Sequence, residues 1–192
     1  MAGASADAAA QAAAFIREAG NELAAIVDRP DPPAARRRRL GPFLDRVVDV
    51  PAVGRFCLGR FWRRASPAQQ SDYEVLFHAI LLDSVMARVG DYRQPQAQGM
   101  RVVIGRPEPN GGTILVPTTV RRAGAPAAHV VWVVRAEPGG MRIVDLVAEG
   151  TSLRITVRAD YASFLNQHDD SIPALLAAMR RQITAATQGA AR

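Results

Sequence analysis

The chain has 192 residues, 48% of them hydrophobic and 22% charged, and a net charge of +6. That length supports one good-sized domain with a buried core, and the composition is ordinary for a folded protein. No uncharged apolar run of about 18 residues occurs, which excludes a transmembrane helix. The single cysteine, Cys57, excludes an internal disulfide and a thiolate metal site, and the absence of lysine excludes a phosphate-binding P-loop.

Residues 8–27 read as an amphipathic helix, with Phe15, Ala19, Leu23, Ile26 and Val27 at three- and four-residue steps. Pro30, Pro32 and Pro33 end it. A second helix over 34–48 is expected to bend or break at Gly41-Pro42. It carries the only dense charge run, Arg36, Arg37, Arg38 and Arg39. Such a run reads first as a solvated face and second as a contact for anionic lipid or an acidic partner. Asp49 is placed to cap a third helix over 51–58, with Pro51 in its first turn and Val53, Phe56 and Cys57 toward the core. Cys57 lies among apolar neighbours and reads as packing, not as a nucleophile. Gly59 marks a break, and a short piece with Phe61 and Trp62 follows. Ser66 then caps a long helix with Pro67 at its first position, reaching about Asp91. Tyr73, Leu76, Phe77, Ile80, Leu81, Ser84, Val85 and Val89 line its broad face.

Beyond Gly99 the period becomes strand-like. Four β-rich runs, 101–105, 113–122, 128–135 and 141–148, are joined by turn signals at 107–112, 123–126 and 138–140. Short connections make this an antiparallel meander. Pro117 cannot donate to a ladder, so its strand is expected at an edge or with a bulge. A fifth extended piece is expected over 152–157, then helices over 158–167 and 171–186, the last capped by Asp170 or Ser171. Helices, a meander, then helices is an α+β pattern. One domain, 1–192, is expected, with a helical part at about 8–98 and 158–187 and a sheet part at about 100–157.

Chemistry has little support. His78, His129 and His168 form no ligand pair, so no metal site is expected. Asp145 and Glu149 share a strand face about 13 Å apart, too far for a carboxylate dyad or for a glycosidase pair at roughly 5 to 10 Å. Their structural reading is that Asp145 pairs with an arginine or accepts backbone donors, and Glu149 anchors the turn at Gly150. The basic residues are dispersed and match no nucleic-acid motif, so no nucleic-acid partner is expected. No cofactor is expected either. Two readings stay open beside a binding protein: a small enzyme with Asp145 or His129 as acid or base, and an interaction module that docks an acidic partner.

Three segments together carry a resemblance. The first is Leu58-Gly59-Arg60-Phe61-Trp62 with Ala65-Ser66-Pro67-Ala68-Gln69-Gln70. The second is Thr113-Ile114-Leu115-Val116-Pro117 with the strand around Val130 to Trp132. The third is Ile143-Val144-Asp145-Leu146-Val147-Ala148-Glu149-Gly150-Thr151-Ser152-Leu153. In that order they resemble the MlaC (toluene-tolerance) family over about 15–182. Thr151 stands where the family usually has Val, and Met141 where Trp is common. The strand 130–134 is apolar on both faces.

The resemblance implies a strongly twisted antiparallel sheet of about four strands, similar to the nuclear-transport-factor cone. N-terminal and C-terminal helices would wrap it, with an apolar tunnel between sheet and helices. It implies a non-enzymatic periplasmic phospholipid carrier linked to outer-membrane lipid asymmetry. Its partners would be an inner-membrane ABC transporter complex and an outer-membrane lipoprotein complex, touched transiently. A hopanoid-associated branch is the alternative. Residues 1–14 lack a basic segment followed by a leucine-rich one, so the chain is either cytoplasmic or a mature form whose leader has been removed; the resemblance favours the second. The tunnel set it implies is Val47, Phe56, Phe61, Phe77, Leu81, Val85, Ile104, Ile114, Val116, Val130, Trp132, Val134, Ile143 and Val147. Arg60 and Arg121 are the candidates for a headgroup phosphate.

Overall fold

Apolar residues spaced for one helical face in an alanine-rich start give α1 (Ala2–Val27), which buries Ala12, Ile16, Ile26 and Val27. The computed structural model describes residues 2–92, 101–121 and 126–190. The expected turn over 123–126 falls largely outside these, as do Gly99 and the end of the expected helical stretch to 98. Contacts group the chain into two compact units, one from 1–49 and 88–153 and one from 50–87 and 154–192. The first two helices thus group with the sheet and not with the other helices.

In the sheet unit, α2 (Pro33–Val47) starts with Pro33 in its first turn and runs through Gly41-Pro42 without breaking. An internal proline costs about 3 kcal/mol. Burial of Leu40, Phe43, Leu44 and Val47, each worth about 2 kcal/mol, outweighs it. Six strands follow: β1 (Arg101–Ile104), β2 (Glu108–Asn110), β3 (Thr113–Arg121), β4 (Ala128–Glu137), β5 (Gly140–Ala148) and β6 (Thr151–Ser152). All pairs are antiparallel in the order β1-β3-β4-β5-β6, and β2 pairs with β3 beside β1. Four strands match the expected runs; β2 and β6 extend the sheet at its edges. Helix α1 packs against β2, β3 and β4, and α2 against α1 and β5. Val48 makes a parallel bridge to Ile143. The Asp49 N–H donates to the Ile143 carbonyl at 3.0 Å, and the Asp49 carboxylate takes Arg135 at 2.5 Å.

Strand β3 is paired on both sides along most of its length but is an edge locally at Pro117. The Pro117 carbonyl accepts the Gly105 N–H at 2.8 Å, so the side of β3 that lacks a donor faces the gap where β1 ends and β2 has not begun. The gap serves the purpose of an edge. A bulge does occur in β5. Val133 pairs with Asp145 but Val134 with Ile143, which leaves Val144 as the extra residue.

The second unit is helical: α3 (Val50–Leu58), a short 3-10 helix (Gly59–Arg64), α4 (Pro67–Tyr92) up to Ala87, α5 (Leu153–Gln167) from Arg154 on, and α6 (Ile172–Ala190). Residues 153–157, expected as extended, open α5 instead. Leu58 and Tyr73 are sealed in this unit's core with Leu165, Leu175, Leu176 and Met179.

Candidate functional site

Cross-strand register decides which side chains share a sheet face. One face is built in rows. Ile114, Val134 and Ile143 form the first, Val116, Trp132 and Leu146 the second, Ile104, Thr118, Val130 and Ala148 the third, and Val102, Val120 and Ala128 the fourth. Seven of the eight expected sheet residues therefore stand together. Val147 does not. It pairs with Ser152 and Val131 on the opposite face, beside Leu115, Pro117 and Val133. The bulge at Val144 is the reason, because it flips Ile143 relative to Val147 although the two have the same parity.

Exposure rises from the first row to the last, although Thr118 in the third row is itself buried. Val116 and Val134 have 0% accessible surface, and Ile114 and Ile143 are buried. Trp132, Leu146, Ile104, Val130 and Ala148 are half-buried, and Val102 at the far end is 55% exposed. The face is sealed at one end and open at the other. Its polar atoms are satisfied internally: the Trp132 indole N–H donates to Thr118 Oγ1 at 3.1 Å, and that hydroxyl donates to the Val130 carbonyl at 3.1 Å. A buried polar group left unpaired would cost about 1–3 kcal/mol; paired, it leaves the face dry. Sequence reading missed Thr118, Val120 and Val102. The alternation that starts at Ile114 already placed Thr118 and Val120 on this face.

The remaining expected residues divide in the same way. Val47 is buried in the sheet unit; Phe61 and Phe77 are buried in the helical unit. Phe56, Leu81 and Val85 are half-buried. An acyl chain is wider than a water molecule, so a side chain lying against one keeps some reachable surface. Val116, Val134, Phe61 and their buried neighbours are filled around by protein and act as core. Within the sheet unit the half-buried residues Ile104, Val130, Trp132, Leu146 and Ala148 are the candidate lining.

The polar candidates are mostly committed to structure. Asp145 is buried; its Oδ1 accepts the Leu146 N–H at 2.8 Å and its Oδ2 the Ser152 hydroxyl at 2.6 Å. Glu149 and Gly150, with φ of 48° and 79°, make the two-residue turn between β5 and β6. Glu149 Oε1 accepts the His129 N–H at 2.6 Å. His129 is exposed at the start of β4, and His168 stacks on Phe164 with centroids 4.0 Å apart. Among the described residues no cluster of three or more His, Cys, Asp or Glu could hold a metal. Cys57 is buried with its Sγ 3.6 Å from the Arg154 carbonyl. Arg60 donates to Asn166 Oδ1 at 3.0 Å and lies over the Phe61 ring at 4.7 Å. Arg121 is exposed at the open end of the sheet, directly opposite Arg101. In the run 36–39, Arg36 is buried and donates to the Asp31 carbonyl at 2.8 Å, and Arg39 pairs with the Asp31 carboxylate at 2.9 Å. Burial pushes that carboxyl up, but Arg39 and then Arg29 more than offset it and hold it below the usual range. Arg38 is exposed.

A sequence profile of the family described as MlaC protein matches residues 17–181. The chain belongs to the MlaC family. A solved structure of the phospholipid-binding protein from Ralstonia solanacearum, in complex with a phospholipid, matches with a TM-score of 0.76 at 19% identity, covering 91% of this chain and 97% of that one. At that identity the likeness is one of fold. No curated protein sequence matches the chain.

The first of the segments that resembled the MlaC family, 58–70, turns out to be scaffold. Gly59 has φ +59, and a Cβ there would stand 3.1 Å from Arg158 Nε, so glycine both ends α3 and makes room for that side chain. Ser66 and Gln69 form a reciprocal capping box: the Ser66 N–H donates to Gln69 Oε1 at 2.9 Å and the Gln69 N–H to Ser66 Oγ at 3.3 Å. Gln70 Nε2 donates to the Trp62 carbonyl at 2.8 Å. Tyr73 sits between Trp62, Phe77 and Tyr161, and its hydroxyl donates to the Gly54 carbonyl at 2.8 Å.

Proposed function

We propose that this MlaC-family chain is a periplasmic carrier that binds a phospholipid by its acyl chains. In this reading it passes the lipid between an outer-membrane lipoprotein complex and an inner-membrane ABC transporter complex, with no catalytic step. The observation that carries it is the sheet face that runs from sealed at Ile114 and Val134 to open at Val102. A carrier needs an apolar surface deep enough for tails, with an open end for the headgroup; Arg121 ends β3 but alternates to the opposite face. Family membership and the phospholipid held by the Ralstonia solanacearum neighbour support the reading. The driving force is ample. Each CH₂ removed from water is worth about 0.8 kcal/mol, so two sixteen-carbon chains carry on the order of 20 kcal/mol.

Native mass spectrometry of the purified chain, with organic extraction of what it releases, tests this. A stoichiometric phospholipid mass is expected. A triterpenoid mass would move the cargo to the hopanoid class, and a bare protein that takes up nothing from vesicles would overturn the carrier reading. Val130→Trp, at a half-buried site of the third row, is expected to lower lipid occupancy while the protein stays folded. Val116→Trp would test packing instead, because that site is sealed.

A further inference from the structure

We infer that the first two turns of α5, together with Phe56, form a surface that docks on an anionic phospholipid bilayer. Arg154 and Arg158 lie four residues apart and both stack on the Phe56 ring, with guanidinium carbons 4.4 and 5.0 Å from its centroid. Like charges at that spacing repel on a helix, yet the shared ring holds the two on one side. Arg158 is exposed and meets no carboxylate at ion-pair distance among the described residues. Arg55 and Arg64 of the same unit, by contrast, pair with Glu74 and Asp170. Ile155, three residues from Arg158 and so on a neighbouring part of the helix surface, is 58% exposed. A bulky apolar side chain in water beside clustered guanidiniums fits one kind of partner. Anionic headgroups take Arg158, held in place beside Arg154 by the ring, and the acyl boundary takes the isoleucine. The net charge of +6 adds long-range attraction to such a surface. The run 36–39 suits this role less, since Arg36 is buried and Arg39 pairs with Asp31.

The surface is built from residues of the helical unit and the cargo rows of our reading from the sheet unit, so substitutions can address each by itself. The full chain is sedimented with vesicles of phosphatidylglycerol and phosphatidylcholine, and with vesicles of phosphatidylcholine alone. Binding is expected only to the first and is expected to weaken with salt. Arg158→Ser is expected to reduce it about fivefold, the effect of one arginine near an anionic surface. Ile155→Ser is expected to reduce it comparably. Arg38→Ser removes the same charge from an exposed site on α2 and is expected to change binding far less. Equal loss from Arg38→Ser and Arg158→Ser would reduce the effect to net charge and overturn the docking surface. So would absence of anionic-vesicle binding by the folded protein, including the case where it captures an acidic protein instead. Lipid that co-purifies with each variant is weighed on the same samples. Unchanged cargo with lost vesicle binding supports the surface and leaves the carrier reading standing.

Discussion

In the helical unit a buried tyrosine hydroxyl bonds a helix carbonyl, and a capping box and a glutamine amide satisfy backbone groups at helix ends. In the sheet unit the ladders of six strands satisfy the backbone, and one face is closed by apolar packing at Ile114, Val116 and Val134. The first design concentrates stability in a few side chains that must be those residues. The second spreads it over many that need only be apolar and of suitable size. That difference explains why the family-like motif of the helical unit is specific in sequence while the candidate lining is not.

The sharpest way to break the comparison is to remove one lock and one brick. Tyr73→Ala is expected to cost about 4 kcal/mol and Val116→Ala about 2 kcal/mol in urea unfolding. The two tryptophans make the readout local, since Trp62 belongs to the helical unit and Trp132 to the sheet unit. A Trp132→Phe background reports the first and a Trp62→Phe background the second. If Val116→Ala costs as much as Tyr73→Ala, stability is not concentrated as described. Alkaline pH probes the same lock with a smaller effect. Burial pushes the Tyr73 hydroxyl well above its ordinary value, with Tyr161 and Cys57 adding to the shift. Unfolded tyrosine ionises near pH 10, so above that pH the unfolded chain binds fewer protons than the folded one and stability falls. The contribution is fully present below about pH 10. From there it is lost at about 1.4 kcal/mol per pH unit, and Tyr73→Phe should flatten that slope. Ser66→Ala, which removes only the side-chain half of a cap, is expected to cost about 1 kcal/mol by the same Trp62 signal.

Much of this fold was legible because its signals were local. Pro67 after Ser66 started α4 where the sequence indicated, and turn residues at 138–140 separated β4 from β5. The misreadings came from influences outside the window. Leu153, Arg154, Ile155, Thr156 and Val157 alternate like a strand, yet Val157, Tyr161 and Leu165 continue a four-residue stripe that buries Leu165 and makes the segment a helix. Glu108-Pro109-Asn110 has no strand propensity and pairs only because Thr113, Ile114 and Leu115 offer it a partner. Val147 was assigned to the wrong face because nothing in Ile143-Val144-Asp145 marks a bulge. For the candidate site, apolar identity was readable and depth was not: Val116 and Val130 look alike in sequence, and only packing seals one and leaves the other half-buried.

The gap opposite Pro117 bears on solubility as well as on pairing. Strand β1 exposes Val102 and Val103 at the margin of the sheet, the kind of strip that recruits a second chain into cross-β association. On this side of β3, though, the margin consists of two fragments, β1 of four residues and β2 of three, and the second includes Pro109. The missing donor of Pro117 falls between them. A growing aggregate would find no long continuous row of donors and acceptors to copy, so the proline that interrupts the ladder also limits edge-to-edge growth at an apolar margin.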